Sequence, residues 1–481
     1  MYSSHHQELS VNTSPPIPGL AGLKLMGSQS SLFRFFGDPV PTLQSIYRQH
    51  GRIGAVIAGD SSLVCAFGAE YNQRILSDAN RFYNFAELPF PIPPDSAAAH
   101  LNIALTAMNG EHHRRSRRLM MPAFSKATIA SYRDEMVSIA ERHLAGWPKD
   151  GEINLSAEMV ELTLLVAMNC LFGLDALDEA EMLGHMGMRY LSSITSLGVM
   201  LFPVNLPGTP YAHFMKFAEV FKEKLLEMIR QRRAAASRRQ DVLSLMIASR
   251  DEDGSSFSDE ELIGQTSLIF LAGHETTAFT LSWTLFLLSQ HPQIYAAVLD
   301  ELDAELHGDA PTVEQIERLP LLENVIKESM RLLPATPFFF VRQGMADFEL
   351  GPYRLPQGAK VVLSPLITHR LPEIYTDPNR FLPERWNQIK PTTFEYLPFG
   401  AGPRMCLGSG FAALEVRLVL AMIVQRFRLS LLPGMNVSYK VQGITMGPKF
   451  GLPMHVSGHD RAFAPPTTVK GNIHQLIDLT A

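Results

Sequence analysis

Apolar positions three and four residues apart recur through most of the chain. In "HPQIYAAVLDELDAEL" (291–306) and "LPLLENVIKESMRLL" (319–333) they predict amphipathic helices. "SFSDEELIGQTSLIF" (256–270) carries a start signal as well: Ser258 fits an N-cap, and Glu261 three residues on completes a capping box. Alternation with a period of two is rarer. It marks "GRIGAVIAGDSSLVCAFG" (51–68) and "YRLPQGAKVVLS" (353–364), so strands are expected mainly near 51–67 and 338–365. The pattern predicts a mainly α chain with a small β region.

One stretch breaks the amphipathic rule. Residues 262–288, "LIGQTSLIFLAGHETTAFTLSWTLFLL", are apolar on all sides and long enough to span a bilayer. Their middle holds His274, Glu275, Thr276 and Thr277, and an acid at the centre of a spanning helix costs about 2.5 to 3.5 kcal/mol. The expectation is one long central helix buried in a soluble protein, with no transmembrane anchor. The N-terminus has no apolar leader. Prolines 15, 16 and 18 mark residues 1–28 as an arm, and "DRAFAPPTTVKG" (460–471) marks 459–481 as a loose tail. Between them, residues 29–458 read as a single large domain.

Composition narrows the function only a little. Of 481 residues, 46% are hydrophobic and 19% charged, and the net charge of −6 gives no global pull toward nucleic acid. Three cysteines, Cys65, Cys170 and Cys406, form neither a disulfide framework nor a CxxC site. The first two sit in apolar runs and read as core. Cys406 does not. It lies in "FGAGPRMCLGSGF" (399–411), among glycines and two residues after Arg404.

Apolar residues at 407, 411, 414, 418 and 422 place a helix just beyond Cys406. A thiol at a helix N-terminus beside an arginine is expected to have its pKa lowered. The glycines let backbone approach a large flat ligand. A lone soft thiolate suits an axial position on haem iron better than a four-ligand zinc site. A catalytic nucleophile with a general base elsewhere is the competing reading.

Four motifs then fall in one order: A-G-x-E-T-T (Ala272 to Thr277), E-x-x-R (Glu328, Arg331), P-E-R (Pro383 to Arg385) and F-G-x-G-x-R-x-C-x-G (Phe399 to Gly408). Together, with Cys406 75 residues beyond Arg331, they resemble the cytochrome P-450 superfamily of soluble bacterial type, over about residues 30–457. The resemblance implies a P-450 fold with haem b (iron protoporphyrin IX) between the long central helix and the Cys406 loop. It makes Cys406 the proximal metal ligand and Phe399 its aromatic neighbour. His113, Arg117, Arg342 and Arg404 become propionate partners. Glu328, Arg331 and Arg385 become a buried salt-bridge triad.

By the same resemblance Glu275 and Thr276 organise proton delivery to dioxygen, which implies a monooxygenase that uses O2 as co-substrate. A peroxygenase or isomerase is the alternative within the class, and a non-catalytic haem sensor the alternative outside it. Ala272, Thr276, Phe338, Phe339 and Phe340 would line a pocket for a hydrophobic substrate such as a fatty acid, alkane, terpenoid or steroid-like molecule. Electrons would come from a separate ferredoxin or flavodoxin with its NAD(P)H reductase, docking near Arg114, Arg115 and Arg118. A cytoplasmic monomer is expected. Two departures from the family pattern are Trp386, where Phe is commoner, and His113, where Trp is commoner.

Overall fold

Capping and packing set the helices that hold the site. The computed structural model describes residues 15–22, 30–85, 88, 90–174, 177–194, 196–234, 241–458, 460–463 and 465–479. Six helices matter most: α1 (Gly110–Met120), α2 (Leu155–Phe172), α3 (Asp259–Ala272), α4 (Glu275–Gln290), α5 (Pro320–Leu332) and α6 (Ser409–Arg426). The capping box at α3 forms as expected: Ser258 Oγ accepts from Glu261 N–H at 3.1 Å, and Glu261 accepts from Ser258 N–H at 2.8 Å. Proline occupies the first turn of α5, where a missing N–H costs nothing. The helix Pro292–Leu306 also forms over the expected residues.

The long central helix is in fact two helices. α3 stops at Ala272 and α4 starts at Glu275, with Gly273 and His274 between them. Side chains take over the ladder at this break. His274 Nδ1 bonds the Phe270 carbonyl at 3.1 Å, Thr163 Oγ1 donates to the His274 carbonyl at 3.1 Å, and Thr276 Oγ1 donates to the Ala272 carbonyl at 3.2 Å. Insertions of this kind into the i→i−4 ladder are a standard cause of a kink. His274 is buried, and desolvation lowers its pKa to about 4, so its ring is neutral and serves the break.

α4 is buried on nearly every side, as its lack of amphipathicity requires. α2, α5 and α6 pack around it, and their side chains join one continuous core. Among the described helices, the one long and apolar enough to cross a membrane is α2, and it is mostly buried in that core.

The β content is larger than the alternation predicts. β1 (Ile53–Ala55), β2 (Leu63–Ala66), β3 (Phe82–Asn84), β5 (Arg342–Gly344) and β8 (Lys360–Leu363) form one sheet in the order β1-β2-β8-β5-β3. Only its β2–β8 pair is parallel. β4 (Asp150–Asn154), β9 (Phe427–Leu431) and β12 (Pro453–Gly458) form a second sheet, ordered β4-β12-β9. β6 (Phe348–Leu350) with β7 (Tyr353–Leu355) and β10 (Tyr439–Gln442) with β11 (Thr445–Pro448) are two-stranded ladders.

Parts of both the arm and the tail pack onto this body, residues 17–20 of the first and 469–477 of the second. Ile17 and Leu20 are buried, and Gly19 bridges Ala55 of β1. Residues 469–477 bury Val469, Ile473, Leu476 and Ile477, and Arg370 donates to the Leu476 carbonyl at 3.0 Å. Residues 469–477 of the proline-marked tail are therefore docked rather than loose, because their apolar side chains find core, while Pro465 and Pro466 stay exposed.

Candidate active site

The Cys406 loop is shaped by glycine. Gly400 and Gly402 have φ of 72° and 71°, the left-handed region that side chains rarely enter. A Cβ on Gly402 would sit 2.2 Å from the Leu76 carbonyl oxygen, so the loop could not come this close to Leu76 with any other residue. Cys406 N–H donates to the Phe399 carbonyl at 2.8 Å, so Phe399 anchors the loop through its backbone. Cys406 is free and accessible, three residues before α6 begins.

The thiol departs from expectation. Desolvation pushes its pKa up, while the Gly408 N–H and the Arg117 charge pull less strongly the other way. Arg404 is not its partner, because Arg404 Nη2 reaches the Met108 carbonyl at 2.7 Å and Asn109 Oδ1 at 2.6 Å. Although its surface is accessible, enough protein surrounds the thiol for desolvation to outweigh the local cationic pattern. A thiol of this kind becomes a thiolate when a metal coordinates it.

Four cationic or basic groups converge beside it. β3 and β5 pair Asn84 with Arg342, and Asn109, the N-cap of α1, bonds the Asn84 backbone at 2.9 and 3.1 Å. The start of α1 is thereby locked to the sheet, which brings His113 and Arg117 toward Arg342 and Arg404. Burial first, then Arg404, Arg117 and Arg342, lower the His113 pKa to about 4. Arg342 is lowered to about 9 by burial and then Arg404. Arg404 is lowered to about 10 by burial and then Arg117.

Among the described residues, no carboxylate acts on His113, Arg117 or Arg342. Arg342 Nη1 and Arg404 Nε are buried with no acceptor. Buried guanidinium groups without an acid are costly. This cluster suits a ligand that carries its own carboxylates, and Arg117 ties it to the thiol. Haem has both features, two propionates and an iron that favours sulfur, so the residues fit it.

Where α3 meets α4, Ala272 is exposed between half-buried Leu271, Gly273, Glu275 and Thr276; the other exposed residues of the pair, Asp259 and Glu260, lie at the start of α3. Thr276 lies one turn on, with its hydroxyl held by the Ala272 carbonyl. The Glu275 carboxyl turns elsewhere and accepts from Thr445 Oγ1 at 2.8 Å, and burial raises its pKa. A cavity of about 780 Å³ draws its apolar wall from Phe85, Leu88, Phe90 and Ile92. It also touches Asn109 and Gln343, next to the cationic cluster.

The three consecutive phenylalanines separate. Phe338 is core, its ring 6.1 Å from that of Phe35. Phe339 packs in the other cluster with Leu397 and Ala401, and stands 3.8 Å from a Cβ built on Gly400. Phe340 belongs to neither cluster. The segment begins no strand until Arg342, so strict alternation does not apply to it.

The triad is complete and fully buried. Arg331 donates to Glu328 through two nitrogens at 2.9 and 2.8 Å, and Arg385 Nε donates to Glu328 at 2.9 Å. Arg331 also donates to the His369, Pro378 and Arg380 carbonyls. Sequence reasoning missed two further donors to Glu328: Trp386 Nε1 at 3.0 Å and the Leu382 N–H at 3.1 Å. The tryptophan, noted only as a departure from pattern, was the available signal.

The three arginines of the expected docking face are each ion-paired within the chain. Arg114 pairs with Glu111, Arg115 with Glu261, and Arg118 with Asp251 through two nitrogens at 2.7 and 3.0 Å. Arg115 and Arg118 thereby tie α1 to the start of α3 and to the loop before it, while the Arg114 pair stays within α1.

A free thiol, an acid-free arginine cluster and a buried triad define a haem-thiolate protein. A family model for cytochrome P450 matches residues 17–452. The chain is 34% identical over 446 residues to cyclooctatin synthase of Streptomyces melanosporofaciens, covering 90% of this chain and 94% of that one. It is 31% identical over 432 residues to cyclooctat-9-en-7-ol 5-monooxygenase of the same organism, covering 88% and 91%. The solved structure of retinoic acid bound cyanobacterial CYP120A1 matches with a TM-score of 0.82 and 27% identity, over 93% of this chain and 100% of that one. The chain belongs to the cytochrome P450 family and is a haem-iron monooxygenase.

Proposed function

We propose that the protein binds haem b and oxygenates a medium-to-large terpenoid-type substrate, by hydroxylation or epoxidation. The observation that carries the haem assignment is the arginine cluster with orphaned N–H groups beside a free thiol. Cys406 would hold the iron, with Phe399 beside it, and His113, Arg117, Arg342 and Arg404 would take the propionates. Haem so held supplies O2 activation, placing one oxygen atom in the substrate and reducing the other to water.

The chain's own groups do the rest. Glu275 and Thr276 carry protons to the open side at Ala272. The apolar wall at Phe85, Leu88, Phe90 and Ile92 removes hydrocarbon surface from water, at about 25 cal/mol per Å². Ala272, Thr276 and Phe340 contact the part of the substrate that reacts. Relatives named for a cyclic unsaturated alcohol and for bound retinoic acid support an isoprenoid-like ligand. Electrons come from a ferredoxin or flavodoxin with its NAD(P)H reductase, and the protein works as a cytoplasmic monomer.

The test is spectroscopic. Cys406→Ala is expected to lose the thiolate-type band of the ferrous–CO complex; retention of that band removes Cys406 as ligand. Terpenoid alcohols and acids should shift the haem spin state where small polar molecules do not. The reverse selectivity would overturn the substrate reading. Product formed with peroxide alone, and none with O2 and NAD(P)H-reduced partner, would make it a peroxygenase.

A further inference from the structure

The β10–β11 hairpin runs along α4 and touches it once per turn. Thr445 Oγ1 lies 2.8 Å from Glu275, Trp283 Nε1 donates to the Met446 carbonyl at 3.1 Å, and the Phe279 ring fills the space beside Gly447. A Cβ at Gly447 would stand 2.4 Å from that ring, so the glycine permits the close approach. Residues 275, 279 and 283 are spaced by four and share one helix face. Met446 N–H donates to the Ala335 carbonyl at 2.8 Å, which anchors the hairpin to the segment after α5. The position of Thr445 against Glu275 is thus set by three turns of packing.

The Thr445 hydroxyl has one proton and two acceptors in reach, Glu275 Oε2 at 2.8 Å and the Gln442 carbonyl at 3.0 Å. A carbonyl cannot donate. When Glu275 is protonated it can donate to Thr445, whose own O–H then points at the Gln442 carbonyl and donates a hydrogen bond to it. When Glu275 is ionised the hydroxyl turns and donates to the carboxylate. Both states keep the buried carboxyl hydrogen-bonded, which an apolar neighbour could not do. Thr276, by contrast, is engaged with the Ala272 carbonyl.

We propose that Thr445 is a positioning residue for proton delivery: its rotating hydroxyl holds the Glu275 carboxyl in both its loaded and its unloaded state. This rests on the reading of Glu275 as the acid of the proton route. On delivery the proton leaves Glu275 and the Thr445 hydroxyl swings from Gln442 to the carboxylate; on reloading from water the hydroxyl swings back.

The experiment uses the haem-loaded protein and three substitutions, E275Q, T445V and T445S. Loading is checked by the ferrous–CO band, and T445A carries the same test if T445V does not load. In the infrared spectrum of the resting protein, a protonated-carboxyl band that E275Q removes belongs to Glu275. T445V should shift that band and T445S should leave it in place. With reductant and O2, T445V should lose about tenfold in product per peroxide released, the worth of one hydrogen bond, and T445S should recover it. If T445V leaves band and coupling unchanged while E275Q lowers coupling, Thr445 has no such role. If E275Q itself leaves coupling unchanged, the acid reading of Glu275 fails and this inference fails with it.

Discussion

Glu328 gathers two buried arginines, whereas Arg342 and Arg404 sit with Arg117 around His113, and among the described residues no carboxylate acts on Arg117 or Arg342. In the first cluster one carboxylate takes five hydrogen bonds, from Arg331, Arg385, Trp386 and the Leu382 N–H. The spare guanidinium nitrogens go to carbonyls of the 369–380 segment. In the second cluster two guanidinium nitrogens have no acceptor, and mutual repulsion helps lower the pKa of Arg342 and Arg404. Both clusters remove cations from water, yet among the described residues only the first finds its counter-charge. A closed cluster is architecture; an open one is a receptor.

The largest effect should come from opening the closed cluster. Glu328→Ala leaves two buried guanidinium groups unpaired, and breaking such a pair costs about 3 to 5 kcal/mol. That is a large share of an ordinary domain's stability. Little folded, haem-loaded protein should accumulate, as read by the ferrous–CO band against total protein. Arg331→Lys should fall nearly as far, because one ammonium cannot make the two-nitrogen contact and the carbonyl contacts together. Near-normal loading in either variant would mean that the cluster is not bracing the core.

How far these clusters could be read from the sequence depends on where their members lie. Glu328 and Arg331 are one turn apart on α5, and spacing shows them. Trp386, His369 and the carbonyls around Pro378 join by tertiary contact, which no local pattern records. The same divide runs through the fold. The capping box at Ser258 and the helix Pro292–Leu306 were legible because their signals are local.

The break at Gly273–His274 was not, since it depends on Thr163 of α2, more than a hundred residues earlier. Nor were β4 and β12: Asn154 pairs with Pro453 from the far end of the chain, and β4, with the sequence DGEIN, has Ile153 as its one apolar side chain to show the alternation. Phe338, Phe339 and Phe340 are identical letters with different neighbours. Local logic also misjudged the Cys406 thiol, because desolvation depends on the whole surrounding fold.

A smaller effect sharpens the open cluster. Arg342→Met removes a buried, unpaired charge while keeping much of its volume. Without haem the variant should be more stable than the parent, by about 1 kcal/mol or more. With haem the order should invert, since one charge-assisted contact to the cofactor is lost, and haem should leave about tenfold faster. Thermal melts of haem-free and haem-loaded protein, with haem transfer to an apo-globin acceptor, would show the crossing. If the variant loses stability in both states, Arg342 is a structural arginine like Arg331, and the contrast between the clusters collapses.

The smallest effect is in the pH dependence, and it isolates the open cluster through His113. An unfolded histidine titrates near pH 6.5, whereas burial and then Arg404, Arg117, Arg342 and Arg114 bring His113 to about 4 in the folded protein. Its folded pKa is depressed, so the unfolded chain takes up the proton first as pH falls. The contribution of a neutral His113 is whole above about pH 6.5 and is lost as pH drops toward 4. Carboxylates placed beside Arg117, Arg342 and Arg404 would offset their repulsion and leave burial as the main remaining cause.

Haem-loaded protein should therefore lose less stability over this range than haem-free protein. His369 is a built-in control: burial, Arg331 and Arg370 bring it to about 3, and its neighbours belong to the closed cluster. Its contribution should be the same in both states and cancel in the difference. Urea midpoints between pH 7.5 and 4.5, with and without haem, measure that difference, and His113→Gln should abolish most of it. Parallel profiles for the two forms would mean that the cofactor's charges do not reach this cluster.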